Sequence, residues 1–88
     1  MARFRVVFSH RGKKDLNSLS DDEFDRIIDG CKRLEDNPVP DGKHVKKLRG
    51  YQDLYRLRVG DYRIVFGCKG SDVNIVTIVT RQEFGKKY

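Results

Sequence analysis

Three arginines set the chemistry open to this chain. Arg56, Arg58 and Arg63 flank Gly60-Asp61, a pair that reads as a two-residue hairpin loop. With that loop, Val59 pairs with Tyr62, Arg58 with Arg63, Leu57 with Ile64, Arg56 with Val65 and Tyr55 with Phe66. Strand side chains alternate between faces, so Tyr55, Leu57, Val59, Tyr62, Ile64 and Phe66 share a core face. Arg56, Arg58 and Arg63 share the other. No carboxylate falls on the arginine face of these two strands. Like charges opposite each other destabilise a sheet, although long solvated arginines tolerate a penalty of about 1 kcal/mol per pair. Two further features tip the balance. Lys46-Lys47-Leu48-Arg49 arrives beside the first of these strands, and Arg81 follows the last strand of the chain. Cations converging on one sheet face favour a phosphate backbone as partner.

The charge map agrees. The 88 residues carry a net charge of +6, and all of it lies in the second half. Residues 45–88 hold ten Lys and Arg against four Asp and Glu, whereas residues 1–44 are balanced at nine and nine. Such one-sidedness points to a polyanion. Lys86 and Lys87 extend the positive charge into a tail that also holds Phe84 and Tyr88. Those two aromatics read either as stacking surfaces for an unpaired base or as anchors of the tail against the sheet. Among candidate proton carriers, His10 reads as a solvated turn residue. His44, in the loop before Lys46, reads as a bystander more readily than as a catalyst, with only its ordinary pKa to recommend it. No metal site or cofactor motif is apparent, because the few carboxylates of the second half sit in turns or at strand ends. Cys31 and Cys68 lie too far apart, and are too few, for a zinc site or a disulfide framework. They read as reduced thiols of a cytoplasmic protein. No apolar run is long enough to span a bilayer.

The elements that must carry these residues are legible from periodicity. Ala2 to Phe8 alternates, with Phe4, Val6 and Phe8 on one side, and reads as a strand. Ser9 is a candidate N-cap for a short helix burying Leu16 and Leu19, weakened by Gly12. Ser20-Asp21-Asp22-Glu23 is a capping box. Phe24, Ile27, Ile28, Cys31 and Leu34 then repeat at steps of three and four, as a helix packed on a sheet requires. Asn37-Pro38 ends it, and Pro38 to Lys43 is a loop. The period then changes to two, with strands at Leu54 to Val59, Tyr62 to Cys68 and Val73 to Thr80. Arg81 to Tyr88 reads as a helical turn or a loose tail. The expected fold is one α+β domain spanning 1–88, in the order β-α-α-β-β-β. Its antiparallel sheet comprises the N-terminal strand and a three-strand meander, with a two-helix hairpin on one face.

The segment NPVPDGKHVKKLRGYQDLYRLRVGDYRIVF, Asn37 to Phe66, resembles the diagnostic centre of RelE toxins in the RelE/ParE superfamily. The resemblance covers nearly the whole chain. It implies the toxin of a toxin–antitoxin pair, bound by a cognate antitoxin, which cleaves mRNA in the ribosomal A site without a metal. The RNA 2′-hydroxyl would attack the adjacent phosphate, leaving a cyclic phosphate and a 5′-hydroxyl. By motif, the family's basic pair falls on Arg56 and Arg58, its next-strand arginine on Arg63 and its last arginine on Arg81. The family's C-terminal tyrosine matches either Phe84 or Tyr88. Lys46, Lys47, Arg49, Phe84, Lys86 and Lys87 are the expected RNA-binding residues around Arg56, Arg58, Arg63, Arg81 and Tyr88. The chain departs from the best-known pattern with arginine in place of lysine at 56 and 58. Arginine stays protonated and neutralises phosphate charge, but it makes a poor general base. Two other functions fit the same residues: inhibition of DNA gyrase, as on the ParE branch, or binding of RNA and ribosome without cleavage.

Overall fold

The computed structural model describes residues 4–88. The element order is β1 (Arg5–Phe8), α1 (His10–Asn17), α2 (Asp21–Asp36), β2 (Val45–Lys47), β3 (Leu54–Val59), β4 (Tyr62–Lys69), β5 (Asp72–Thr80) and α3 (Arg81–Lys87). Ala2, expected to begin the first strand, lies outside the described residues.

The two helices form where their caps dictate. The Ser9 hydroxyl accepts from the Gly12 amide to start α1, and Ser20 with Glu23 closes a reciprocal capping box on α2. Asn37 is extended at the end of α2, as the following proline requires. Ile27, Cys31 and Leu34 are buried along one stripe of α2, and Leu16 does the same for α1. They meet Leu57, Ile64, Phe66, Val73, Ile75 and Ile78 from the sheet. Burying each such side chain stabilises the fold by about 1.5–3 kcal/mol.

The β3–β4 hairpin has the register expected from its sequence, from Val59↔Tyr62 through Tyr55↔Phe66. Gly60 turns it at φ +55°, a conformation that costs a side chain but not glycine. Tyr55 and Phe66 stack on the core face with ring centroids 5.6 Å apart.

The sheet corrects the expectation in two respects. It has five strands, ordered β1-β5-β4-β3-β2, and it is mixed rather than antiparallel, because β1 runs parallel to β5. The added strand is β2, paired antiparallel to β3. Both differences follow from the helical hairpin. It carries the chain from β1 to the far edge, and the strands from β2 onward step back until β5 lies beside β1.

β1 ends at Phe8, yet β5 continues for five more residues, and α1 takes over its exposed edge. The Ser9 amide donates to the Ile75 carbonyl and the Ser9 hydroxyl to that of Val76. The Asp15 carboxylate accepts from the Ile78 amide at 3.0 Å and from the Thr77 hydroxyl at 2.6 Å. Gly12 is explained here, since a Cβ at this position would stand 2.7 Å from the Ile75 carbonyl oxygen. Val76 is the extra residue of a bulge: β4 residues 65 and 66 pair with Thr77 and Ile75.

Candidate phosphate-binding face

The face of the sheet away from α1 and α2 carries the arginines. Arg58 and Arg63 are direct cross-strand partners, and Arg56 lies two residues from Arg58 on the same side. β2 adds a fourth cation, because Lys46 pairs with Arg56. Lys47 pairs with Tyr55, so alternation turns it toward the helix-side face. Arg49 is exposed in the β2–β3 connection.

Arg81 reaches this cluster through the strand ends. Thr80 pairs with Tyr62, and the Arg81 amide donates to the Asp61 carbonyl at 2.7 Å, tying the start of α3 to the hairpin turn. Arg81 is the first residue of α3. A second capping box, in which Thr80 receives the Glu83 amide and Glu83 reaches back to Thr80, makes this segment a helix instead of a loose tail. Its signal is present in the sequence as Thr80-Arg81-Gln82-Glu83, the same pattern that opens α2.

The guanidinium groups are held without carboxylates. Arg63 Nη1 donates to the carbonyls of Gly60 and Tyr62 at 3.0 and 2.9 Å. Arg56 Nη1 donates to the His44 carbonyl at 2.9 Å. Among the described residues, no carboxylate lies within salt-bridge distance of Arg56, Arg58, Arg63 or Arg81. Elsewhere Arg5, Arg11 and Arg33 each pair with an aspartate. The crowding lowers the affinity of Arg63 for its proton: partial burial contributes most, followed by Arg56, Arg58 and Arg81, with Asp61 opposing. Arg56 is shifted the same way by burial and by Arg58, with Asp41 opposing. The four groups therefore share one field. Both shifted arginines remain cations at neutral pH.

α3 contacts β4 and β5 and ends near the β2–β3 connection. Phe84 and Tyr88 stack with centroids 5.3 Å apart, and Tyr88 tilts against Tyr51 at the same distance. The Tyr51 hydroxyl donates to the Lys87 carbonyl. Both tail aromatics thus pack within the protein, and burial together with Tyr51 raises the Tyr88 phenol above its ordinary value. Lys86 and Lys87 are exposed in the last turn. His44 turns its ring toward Arg33 and Asp41, at 3.3 and 3.5 Å. It contributes to the arginine face through its backbone carbonyl. Burial raises the Cys31 thiol to about 11, and burial raises Cys68 as well. Among the described residues, no three His, Cys, Asp or Glu side chains are grouped to hold a metal ion. The positive charge here is that of guanidinium and ammonium groups.

Such a face can hold a polyanion and stabilise charge that develops on it. Comparisons with known proteins give the family. Residues 6–83 match the family model described as the ParE toxin of the type II toxin–antitoxin system, parDE. Toxin RelE3 of Methanocaldococcus jannaschii is 36% identical over 87 residues, spanning 94% of this chain and 91% of that protein. The archaeal RelE–RelB complex of Pyrococcus horikoshii OT3 contains a chain that is 34% identical. It superposes with a TM-score of 0.73, covering 90% of this chain and 96% of that one. The RelB–RelE antitoxin–toxin complex of Methanococcus jannaschii gives 25% identity and the same TM-score over 93% and 98% of the two chains. The chain therefore belongs to the RelE/ParE family of toxins from type II toxin–antitoxin systems, and it is of the RelE type.

Proposed function

We propose that this toxin is a ribosome-dependent mRNA endonuclease that works without a metal ion. The observation that carries this reading is the group of Arg56, Arg58, Arg63 and Arg81 on one face, unpaired with carboxylates among the described residues. In the proposed reaction the RNA 2′-oxygen attacks the adjacent phosphorus and the bond to the 5′-oxygen breaks. The products are a cyclic phosphate and a 5′-hydroxyl. Negative charge accumulates on the phosphoryl oxygens in the transition state, and preorganised cations aimed there lower the barrier. Arg63 and Arg81 stabilise that charge. Arg56 and Arg58 position the RNA backbone and add to the field. Arginine is too weak a base to take the 2′-proton, so the protein contributes electrostatics, while the ribosome and base stacking hold the 2′-oxygen in line.

Lys46, Arg49, Lys86 and Lys87 extend the basic surface for RNA and rRNA, and Phe84 and Tyr88, half-buried against each other and Tyr51, leave part of each ring exposed for a base to stack on. Tyr88→Phe separates two roles for that ring: a large loss of cleavage assigns a part to the hydroxyl, a small one leaves stacking. The site of action is the cytoplasm, where translating ribosomes are; no helix of the described residues is long and apolar enough to cross a membrane.

The protein's partner in this reading is a cognate antitoxin, as RelB is for RelE in the solved complexes. An acidic antitoxin segment would neutralise the arginine face or displace α3. Its affinity should then fall as salt is added; salt-insensitive binding would place the contact on apolar surface.

The match to a ParE family model favours one competing function, inhibition of DNA gyrase. The two separate in one experiment. The wild-type protein is added to a translating extract and mRNA 5′ ends are mapped, with gyrase supercoiling assayed in parallel. New 5′ ends with unimpaired supercoiling are expected. Loss of supercoiling without new ends would move the protein to the ParE activity. Binding to ribosomes with neither effect would make it a non-cleaving module.

A further inference from the structure

We infer that Asp41, which lies outside the arginine face, is a positioning residue that sets the guanidinium of Arg56. This inference rests on the reading of Arg56 as part of the phosphate-binding set. Asp41 Oδ1 accepts from three consecutive backbone amides: Lys43 at 2.8 Å, His44 at 2.7 Å and Val45 at 3.0 Å. Its other oxygen, Oδ2, accepts from Arg33 Nη2 of α2 at 3.1 Å. The turn is closed from the opposite direction, where the amides of Asp41 and Gly42 donate to the Val45 carbonyl. Three amides converging on one oxygen fix the peptide planes of residues 43 to 45, and with them the direction of the His44 carbonyl. That carbonyl accepts twice on the arginine strand: from the Arg58 amide at 2.9 Å and from Arg56 Nη1 at 2.9 Å.

Without that acceptor, Arg56 has reason to leave. Lys46 is its cross-strand neighbour and Arg58 lies on the same side. Mutual repulsion and solvation both favour an extended guanidinium in water. The His44 carbonyl is the only hydrogen-bond acceptor the Arg56 side chain has among the described residues. Asp41 is also the carboxylate whose charge opposes the effects of burial and of Arg58 on Arg56. The chain runs Arg33, Asp41, the 43–45 turn, the His44 carbonyl, Arg56. It links α2 on one side of the sheet to a cation on the other.

The test reads Arg56 directly and cleavage separately. In wild-type protein labelled with ¹⁵N-arginine, the Arg56 Nη signals should show slowed rotation and solvent exchange, with the Arg58 side chain, which makes no hydrogen bond among the described residues, as internal control. Asp41→Ala should speed Arg56 exchange roughly tenfold or more, the scale of one lost charged hydrogen bond, and leave Arg58 unchanged. Asp41→Asn keeps an oxygen for the three amides and should retain most of the protection. Should Asp41→Ala not fold, Asp41→Ser, with a shorter acceptor, is read in the same way. In cleavage on programmed ribosomes, Asp41→Ala and Arg56→Ala should be impaired alike, and the double variant should be no worse than Arg56→Ala. Unchanged Arg56 exchange in Asp41→Ala overturns the inference, as does equal loss in Asp41→Asn and Asp41→Ala. Faster Arg56 exchange with wild-type cleavage in both single variants supports the positioning and overturns the role of Arg56 in catalysis.

Discussion

Arg58 and Arg63 stand opposite each other in the β3–β4 hairpin, and no carboxylate pairs with either among the described residues. A sheet selected for stability alone would place opposite charges there, or none. The protein tolerates the repulsion, with Arg63 tied to two backbone carbonyls. Tolerated repulsion at one spot is what an anion-binding surface looks like before its ligand arrives.

Relief of that repulsion should be measurable. Arg58 makes no side-chain hydrogen bond among the described residues, so Arg58→Thr removes charge without removing a tether and keeps a residue suited to strands. Stability should rise by about 0.5–1 kcal/mol, seen as a melting temperature higher by a few degrees. The gain should shrink in high salt. A lower melting temperature would mean that Arg58 packs more than it repels.

Gly12 offers a test in which two effects have opposite signs. Alanine favours a helix over glycine by about 1 kcal/mol. Here the new methyl would stand 2.7 Å from the Ile75 carbonyl oxygen, and overpacking of this kind costs about 1–3 kcal/mol. Gly12→Ala should therefore destabilise in a denaturant melt. Stabilisation would show that α1 is free to move away from β5.

Ile27 has no exposed surface and lies on the core stripe of α2. Ile27→Asp removes apolar burial and leaves an unpaired charge, a loss of about 4 kcal/mol or more. That approaches the lower end of the about 5–15 kcal/mol by which ordinary domains are stable, and a small domain such as this one lies toward that end, so the circular-dichroism melt should lose its cooperative transition. An unchanged melt would refute the packing of α2.

Acid should act through Glu23. Its carboxylate accepts from the Tyr62 hydroxyl at 2.6 Å and from the Ser20 cap, which lower it from its ordinary 4.5, the Tyr62 bond most. The folded value lies below the unfolded one, so this stabilisation is complete above pH 4.5 and is lost as pH falls through the folded value. Glu23→Gln should therefore be less stable than wild type at neutral pH, and the two denaturation midpoints should converge well below pH 4.5. A constant gap would mean that the ionised carboxylate is not what Tyr62 and Ser20 hold.

Much of this arrangement is legible in the sequence, for local reasons. The hairpin could be read because Gly60-Asp61 is short and the alternation on either side is strict. That alone puts Arg56, Arg58 and Arg63 together. α2 could be read because Ser20 and Glu23 form a box ahead of a regular apolar stripe. β2 escaped because three residues with two lysines carry no strand signal; its pairing with β3 makes it a strand. The place of β1 escaped because alternation shows which face of a strand is buried and says nothing about its neighbour. Gly12 looked like a helix weakness because its reason, the Ile75 carbonyl, is 63 positions away. Asp41 falls in the loop that the sequence marks from Pro38 to Lys43, but its connection to Arg56 passes through a backbone carbonyl that no residue pattern encodes.

The most direct measurement is single-turnover cleavage of mRNA on programmed ribosomes, comparing wild type with Arg63→Ala, Arg63→Lys and Arg81→Ala. Removing one preorganised charge should slow cleavage by about a hundredfold or more, with melts close to wild type. Arg63→Lys should recover only part of the rate, because a point charge does not reproduce a planar fork. If Arg63→Ala and Arg81→Ala both cleave at the wild-type rate, the arginine face is a docking surface and the catalytic account is wrong.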